Sequence, residues 1–306
     1  MNLEEEVLCG FKVSSERKKV WQTELEMVKL FKNICEANNL KYIASGGTLI
    51  GAVRHNGFIP WDDDIDLMMP REDYEKFLDI AQNYLPEKFF LQHYGTEKNY
   101  PNGHAQIRNS DTACINNFGY TDLKQGKNCG IFIDIFPYDE VPDNEKKRKK
   151  YASKINFLKK LCFFKVYRKN FTGLKGVIKS IISSVYFAFH SLEKTIAKFN
   201  LASTKFNGKT NTVALISFVP GYEKNVWDKS LFDNTVLHKF EDIEIAIPEK
   251  YDEVLRREFG DYMQLPEDKS AGSMHGTCYF NTEKSYKEFI NYDKAAIKVL
   301  IENSKL

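Results

Sequence analysis

The sequence predicts an α+β fold, with a mixed-sheet core, flanking helices and a basic helical insertion. Three observations predict it. Apolar residues recur in short strand-like stretches at 58–69, 89–94, 105–115 and 129–137, punctuated by Gly, Pro, Asn or Asp. Segments of helical spacing lie before and between them, so the two element types mix along the chain. Charge is also segregated: residues 146–194 carry fourteen Lys or Arg against the single acid Glu193, in a chain whose net charge is only +2.

Val20, Met27, Val28, Phe31, Ile34 and Cys35 fall on one face of a helix over 16–39, with Asn38 and Asn39 as its stop. Residues 41–44 read as a short strand, and Gly46, Gly47 and Thr48 as the turn into a short helix near Leu49 to Arg54. From Phe58 to Met69, Ile65, Leu67 and Met69 alternate with Asp64, Asp66 and Met68, which as a strand puts Asp64 and Asp66 on one face. Asp63 points the other way on that reading. Pro70 opens a helix that buries Tyr74, Phe77, Leu78 and Ala81. Strands follow at 89–94 and 105–115, the second interrupted at Asn109-Ser110-Asp111, and then the apolar run Cys129 to Pro137. The last third reads as a strand over 212–218, a strand at 243–247, a helix over 251–259 closed by Gly260, and a terminal helix from 284 with Tyr286, Phe289 and Ile290 inward.

Six scattered cysteines without a CxxC pair indicate neither a zinc cluster nor a disulfide framework, so free thiols in a reducing cytoplasm are expected. The first nineteen residues have no apolar core of the kind a signal peptide needs. The longest apolar stretch, Ile181 to Phe189, falls short of the roughly 20 residues that span a bilayer. The basic residues of 146–194, interleaved with Phe, Leu, Ile and Tyr, suit helices lying on an anionic membrane surface. Solvated helices packed on the core explain them nearly as well, and RNA is a third reading that no RRM or KH signature supports. No nucleic-acid partner is expected.

The chemistry concentrates in Ser45 to Pro70. Asp62, Asp63, Asp64 and Asp66 crowd together there, and two unit charges about 5 Å apart repel by roughly 3 kcal/mol at an effective dielectric near 20. A divalent cation among them, Mg2+ or Mn2+, relieves this. Asp134 is the one charge in the run CGIFIDIFP; it is either a solvent-facing residue of an edge strand or a further carboxylate of the same centre. Glycines at 46 and 47 would let backbone amides approach a phosphate. Together these features point to phosphoryl or nucleotidyl transfer. The spacing of Asp62, Asp64 and Asp66 also mimics an EF-hand loop, but Leu67 stands where Gly is required and Asp73 where a bidentate Glu is expected.

GGTLIGAVRHNGFIPWDDDIDLMM, GIFIDIFPYDEVP, FEDIEIAIP and FGDYMQLP, in that order, resemble the LicD family of phosphocholine transferases, related to the fukutin proteins. The resemblance implies a nucleotidyltransferase-like fold, with a catalytic core over 1–145, the basic insertion over 146–200, and an α+β part over 201–306 that completes the core. It implies transfer of phosphocholine from CDP-choline to a sugar hydroxyl of a teichoic acid or lipopolysaccharide precursor, with a divalent metal. It maps metal ligands onto Asp64 and Asp66, with Asp62 as a ligand or a support for one and Asp134 as a ligand or the general base. It sets Gly46, Gly47 and Thr48 beside the nucleotide phosphates, Arg54, His55 and Arg108 as phosphate contacts, and His275 as a late residue closing the site. Trp61, Tyr120, Tyr138 and Trp227 are the aromatics on hand for a quaternary ammonium. A donor carrying ribitol phosphate or glycerol phosphate is the alternative on the same fold. A lipid-linked glycan acceptor would place the protein on the inner face of the cell membrane. The cysteine-rich zinc element of some fukutin-related enzymes has no counterpart in this sequence.

Overall fold

The computed structural model describes residues 1–171, 173–216, 225–269 and 278–304. Strands β1 (Glu6–Leu8) and β2 (Phe11–Val13) form a hairpin whose two turn residues, Cys9 and Gly10, both have positive φ, as a tight two-residue turn requires. Ser14 then caps helix α1 (Ser15–Ala37), its side chain accepting from the Arg17 amide. After β3 (Ile43–Ala44) comes α2 (Gly46–Ile50), which continues as one π-helical turn through His55. β4 (Asp66–Pro70) runs directly into α3 (Arg71–Ile80). β5 (Phe89–Gln92), β6 (Ala105–Asn109), β7 (Ala113–Ile115) and the short α4 (Gly119–Lys124) lead to the longest strand, β8 (Ile131–Val141). Three helices follow, α5 (Glu145–Val166), α6 (Leu174–Phe189) and α7 (Leu192–Ser203). β9 (Thr212–Ala214), β10 (Val226–Asp228), β11 (Thr235–Phe240), β12 (Ile243–Pro248), α8 (Tyr251–Phe259), β13 (Tyr279–Asn281) and α9 (Lys294–Glu302) complete the chain.

β8 organises the mixed central sheet. One of its edges takes β4 in parallel, with Asp66 opposite Asp134 and Pro70 opposite Tyr138. Its other edge is shared: β6 pairs antiparallel with Ile131 to Ile135, and β9 with Asp139 to Val141. Its apolar side chains Ile131, Ile133 and Ile135 are fully buried. Helix α1 packs against β6 and β8, burying Val20, Leu25, Met27, Val28 and Phe31. Burial of a side chain of that size contributes about 1.5–3 kcal/mol, so this one interface fixes the sheet under the helix. Arg71 at the start of α3 clamps β8 through a two-point ion pair to Asp139, Nε to Oδ1 at 2.8 Å and Nη2 to Oδ2 at 2.6 Å.

Expectations from the sequence change at several places. Residues 58–65 are not strand; β4 begins only at Asp66, because the Asp62 amide turns back onto the Ile59 carbonyl at 2.9 Å and the Asp62 carbonyl is taken by α1. Gly46, Gly47 and Thr48 are the first turn of α2 rather than a loop before it. The terminal helix is broken: Tyr286–Phe289 forms a 3-10 turn, and Asp293 caps a new helix that turns Ile297 inward. Of the strand expected at 212–218, β9 covers the first three residues, and 217–218 lie outside the described residues. Asp134 sits not on an edge but on the central strand, 7% exposed.

Candidate active site

Two groups of carboxylates meet at the start of α2. Asp66 and Asp134 occupy paired positions on neighbouring parallel strands, so they share a face of the sheet at the strand spacing of about 4.8 Å. Asp62, Asp63 and Asp64 form the second group: one oxygen of each lies within 4.8 Å of the others. The irregular backbone of 58–65 brings Asp63 in beside Asp62 and Asp64, where alternation on a strand would have turned it away.

The glycine pair joins the two groups. A Cβ on Gly46 would lie 3.2 Å from Asp66 Oδ2, and one on Gly47 only 2.4 Å from Asp62 Oδ2. Gly46 also has φ +52°, a conformation that glycine adopts without penalty. The carboxylates therefore press against the backbone of this turn, and a side chain at either position would have to push one of them aside. Thr48 fixes the register: its Oγ1 accepts from the Asp66 amide at 2.8 Å, while the Ser45 amide donates to the Asp66 carbonyl at 3.0 Å.

Helix α1 closes the acidic loop from behind. Arg17 Nη1 and Trp21 Nε1 both donate to the Asp62 carbonyl, at 2.7 and 3.0 Å. Glu24, one turn further along, is 1% exposed, and its Oε2 has no hydrogen-bond partner. Burial, and then the charges of Asp64, Asp63 and Asp62, push its carboxyl well above the usual range. Burial and the neighbouring Asp64 and Asp63 push Asp62 up in the same way. The buried Arg17 guanidinium faces part of this set, and the oxygen donors fit a hard divalent ion.

Asp134 has its own supports. Its Oδ1 accepts from Gln106 Nε2 at 2.8 Å and lies 3.2 Å from His104 Nε2. Arg108 donates to Gln106 Oε1 at 2.7 Å, to the Gly130 carbonyl at 2.7 Å and to Gln92 Oε1 at 2.5 Å. These contacts hold the carboxamide that in turn holds Asp134. Arg54 donates to His55 Nε2 at 2.9 Å and to the Tyr262 carbonyl, with its guanidinium 5.9 Å from the Trp61 ring centre. Burial and that neighbouring cation push His55 down to about 4, so the imidazole is neutral and accepts from Arg54. His275 lies outside the described residues. The four aromatics fall in three places: Trp61 beside His55, Tyr120 beside Lys124, and Tyr138 and Trp227 around Phe232.

Comparison with known proteins gives this geometry a family. Residues 39–175 match the family described as LicD/FKTN/FKRP, nucleotidyltransferase domain. The lipopolysaccharide cholinephosphotransferase LicD of Haemophilus influenzae is 32% identical over 261 residues, covering 82% of this chain and 92% of that protein. The chain belongs to the LicD family. The uncharacterized protein RP689 of Rickettsia prowazekii is 37% identical over 123 residues, 39% of this chain and 41% of its own length. The human ribitol 5-phosphate transferase FKRP is 42% identical over 48 residues, 16% of this chain and 10% of its own. As a LicD-type chain it is a transferase homologous to a cholinephosphotransferase.

Sequence reasoning missed Arg17, Glu24, His104 and Gln106. A signal for each was present. Arg17 and Glu24 interrupt the apolar stripe that runs through Val20, Trp21, Leu25 and Val28, where a charge needs a reason. His104, Gln106 and Arg108 alternate with Ala105 and Ile107, which marks one polar strand face opposite a buried one.

Proposed function

We propose that this LicD-family chain, on a nucleotidyltransferase-like core, transfers phosphocholine from CDP-choline to a sugar hydroxyl of a cell-surface glycan precursor and releases CMP. The observation that carries the reading is the Gly46-Gly47 turn, whose backbone meets Asp62 on one side and Asp66 on the other. Asp62, Asp64 and Asp66 would hold Mg2+ or Mn2+, which offsets the charge of the diphosphate when bound. The turn amides of Gly47 and Thr48 position the donor phosphates, and Arg17, buried beside Asp62 and Asp63, keeps the loop compact.

In the transfer, the acceptor hydroxyl oxygen bonds to the β-phosphorus, the bond from that phosphorus to the bridging oxygen breaks, and CMP leaves with the electron pair. Asp134 takes the hydroxyl proton as general base. Gln106 orients its carboxylate at 2.8 Å, and His104 stands 3.2 Å away to accommodate the change of charge. The acceptor is a glycan precursor of lipopolysaccharide or teichoic acid, and a lipid-linked form would keep the enzyme working at the inner face of the cell membrane. Among the described residues no helix is long and apolar enough to cross a membrane.

The second reading, transfer of ribitol phosphate or glycerol phosphate from a CDP-linked donor, is supported by the stretch shared with ribitol 5-phosphate transferase. Purified protein with Mg2+, acceptor and each donor separates them: CMP should appear with CDP-choline. CMP appearing only with CDP-ribitol or CDP-glycerol would replace the donor, and pyrophosphate released from a nucleoside triphosphate would replace the reaction.

A further inference from the structure

Helix α6 leaves most of its aliphatic residues outside. Its side facing the protein carries Gly176, Ser180 and Ser183, the last 1% exposed and donating from Oγ to the Leu161 carbonyl of α5 at 2.9 Å, and then Tyr186 and Phe187, which pack against the apolar cluster between α5 and α7. Its outer side carries Val177, Ile178, Ile181, Ile182 and Val185, each 46–59% exposed, between Leu174 at 78% and Phe189 at 82%. These positions recur every three or four residues, so they form one continuous apolar stripe along the whole length of the helix. The neighbouring helices do the opposite. α5 buries Ala152, Ile155, Leu158, Leu161 and Cys162, and α7 buries Leu192, Ile196 and Phe199.

The rim of the stripe is basic. Arg168, Lys169, Lys175 and Lys179 are the only charged residues between 168 and 189. Arg168 and Lys169 border a groove of about 360 Å³ together with Phe171, Val177, Ile181 and Val185, so cationic heads stand directly beside apolar side chains. A helix of 16 residues is about 24 Å long, too short to cross the roughly 30 Å of a bilayer's hydrocarbon core. Its length and its two-sided chemistry suit a helix lying in the interface, apolar side chains among the acyl chains and cations at the phosphates.

We propose that the outer face of α6 docks this protein onto a lipid bilayer bearing anionic headgroups, with the helix axis in the membrane plane. The charge pattern selects this occupant: four cations complement anionic headgroups, whereas the same face of a second copy offers no acid between 168 and 189 to pair with them. The proposal does not depend on the identity of the donor, because binding is read without turnover.

Co-sedimentation with vesicles of phosphatidylcholine containing about a third phosphatidylglycerol tests it. The full chain should pellet with these vesicles, and markedly less with phosphatidylcholine alone. Lys175→Gln with Lys179→Gln should weaken binding roughly fivefold per charge removed, an effect that added salt also produces. Ile178→Ser, Ile181→Ser and Val185→Ser together should abolish binding even at low salt. All five positions lie outside the acidic site, so thermal melting and CMP release with a soluble acceptor should match the parent protein and show that the fold is intact. Equal binding by the serine variant, binding that ignores lipid charge, or a dimer that those substitutions dissolve while vesicles are never bound would each overturn the proposal.

Discussion

Gly47→Ala separates function from stability more sharply than any other single change. The added Cβ would stand 2.4 Å from Asp62 Oδ2, where ordinary contact begins at 3.4 Å, so the carboxylate must give way by about 1 Å. Gly47 is not in the left-handed region, so alanine carries no backbone penalty there. The Asp62 carbonyl stays pinned by Arg17 and Trp21, which leaves the side chain as the part that moves. Such a shift costs about 1 kcal/mol of stability, whereas a 1 Å error in a group that holds a reacting complex costs about 100-fold in rate. CMP release from CDP-choline measures the second quantity, and urea unfolding the first. Gly130→Ala is the control of opposite type: its Cβ would lie 1.9 Å from the Asn109 carbonyl, a backbone atom, so the expected loss is one of stability, about 3 kcal/mol or more. If Gly47→Ala kept activity within twofold of the parent, the close approach of the turn to Asp62 would have no part in catalysis.

Glu24→Gln should raise stability at neutral pH by about 1 kcal/mol in chelator, because the native carboxyl, pushed up by burial and by Asp64, makes the folded state bind a proton that the unfolded state has lost. The same variant should weaken Mn2+ binding about tenfold in calorimetry; unchanged affinity would remove Glu24 from the site. Arg71→Met should cost about 3–5 kcal/mol in urea unfolding, since it strands the Asp139 carboxylate at 0% exposure, and Asp139→Leu added to it should restore most of the loss. Glu140 is held at about 2: burial alone would raise it, but Lys229 and the amides of Thr210 and Lys209 more than offset this. Its contribution is therefore present above the unfolded carboxylate range and lost as pH falls from about 4.5 toward 2. Solvent screening at the half-exposed Lys229 limits it to about 1–2 kcal/mol, and Glu140→Gln should flatten the stability profile over that window by this amount.

Much of this architecture is written in local pattern. The 3.6-residue period from Val20 to Cys35 specifies α1, and the alternation around Ile65 to Met69 and Cys129 to Pro137 specifies the two strands that carry Asp66 and Asp134. What the pattern could not show is which strands are neighbours. Read alone, the run around Asp134 fits either a solvent-facing edge residue or a further carboxylate of the acidic centre, and the parallel pairing of β4 with β8 sets it opposite Asp66. The loop before β4 reads as strand only by extending back the alternation of Ile65, Leu67 and Met69, while the decisive contacts, from Arg17 and Trp21, come from a helix some forty residues earlier. Glu24 stands out in the sequence as a charge within the apolar stripe of α1, but only the fold sets it against Asp62, Asp63 and Asp64. Helix α6 shows the converse: its apolar stripe is plain in the sequence, but only the packing of Ser183 against α5 reveals that the stripe faces outward.

The most direct measurement is CMP release from CDP-choline by the parent protein and by Asp64→Asn with Asp66→Asn, each titrated with Mg2+ and Mn2+. The parent should be inactive in chelator and regain turnover with either ion. The double variant should melt as a folded protein yet show no turnover above background at any metal concentration. Turnover that survives the double substitution would contradict a metal-holding role for these carboxylates.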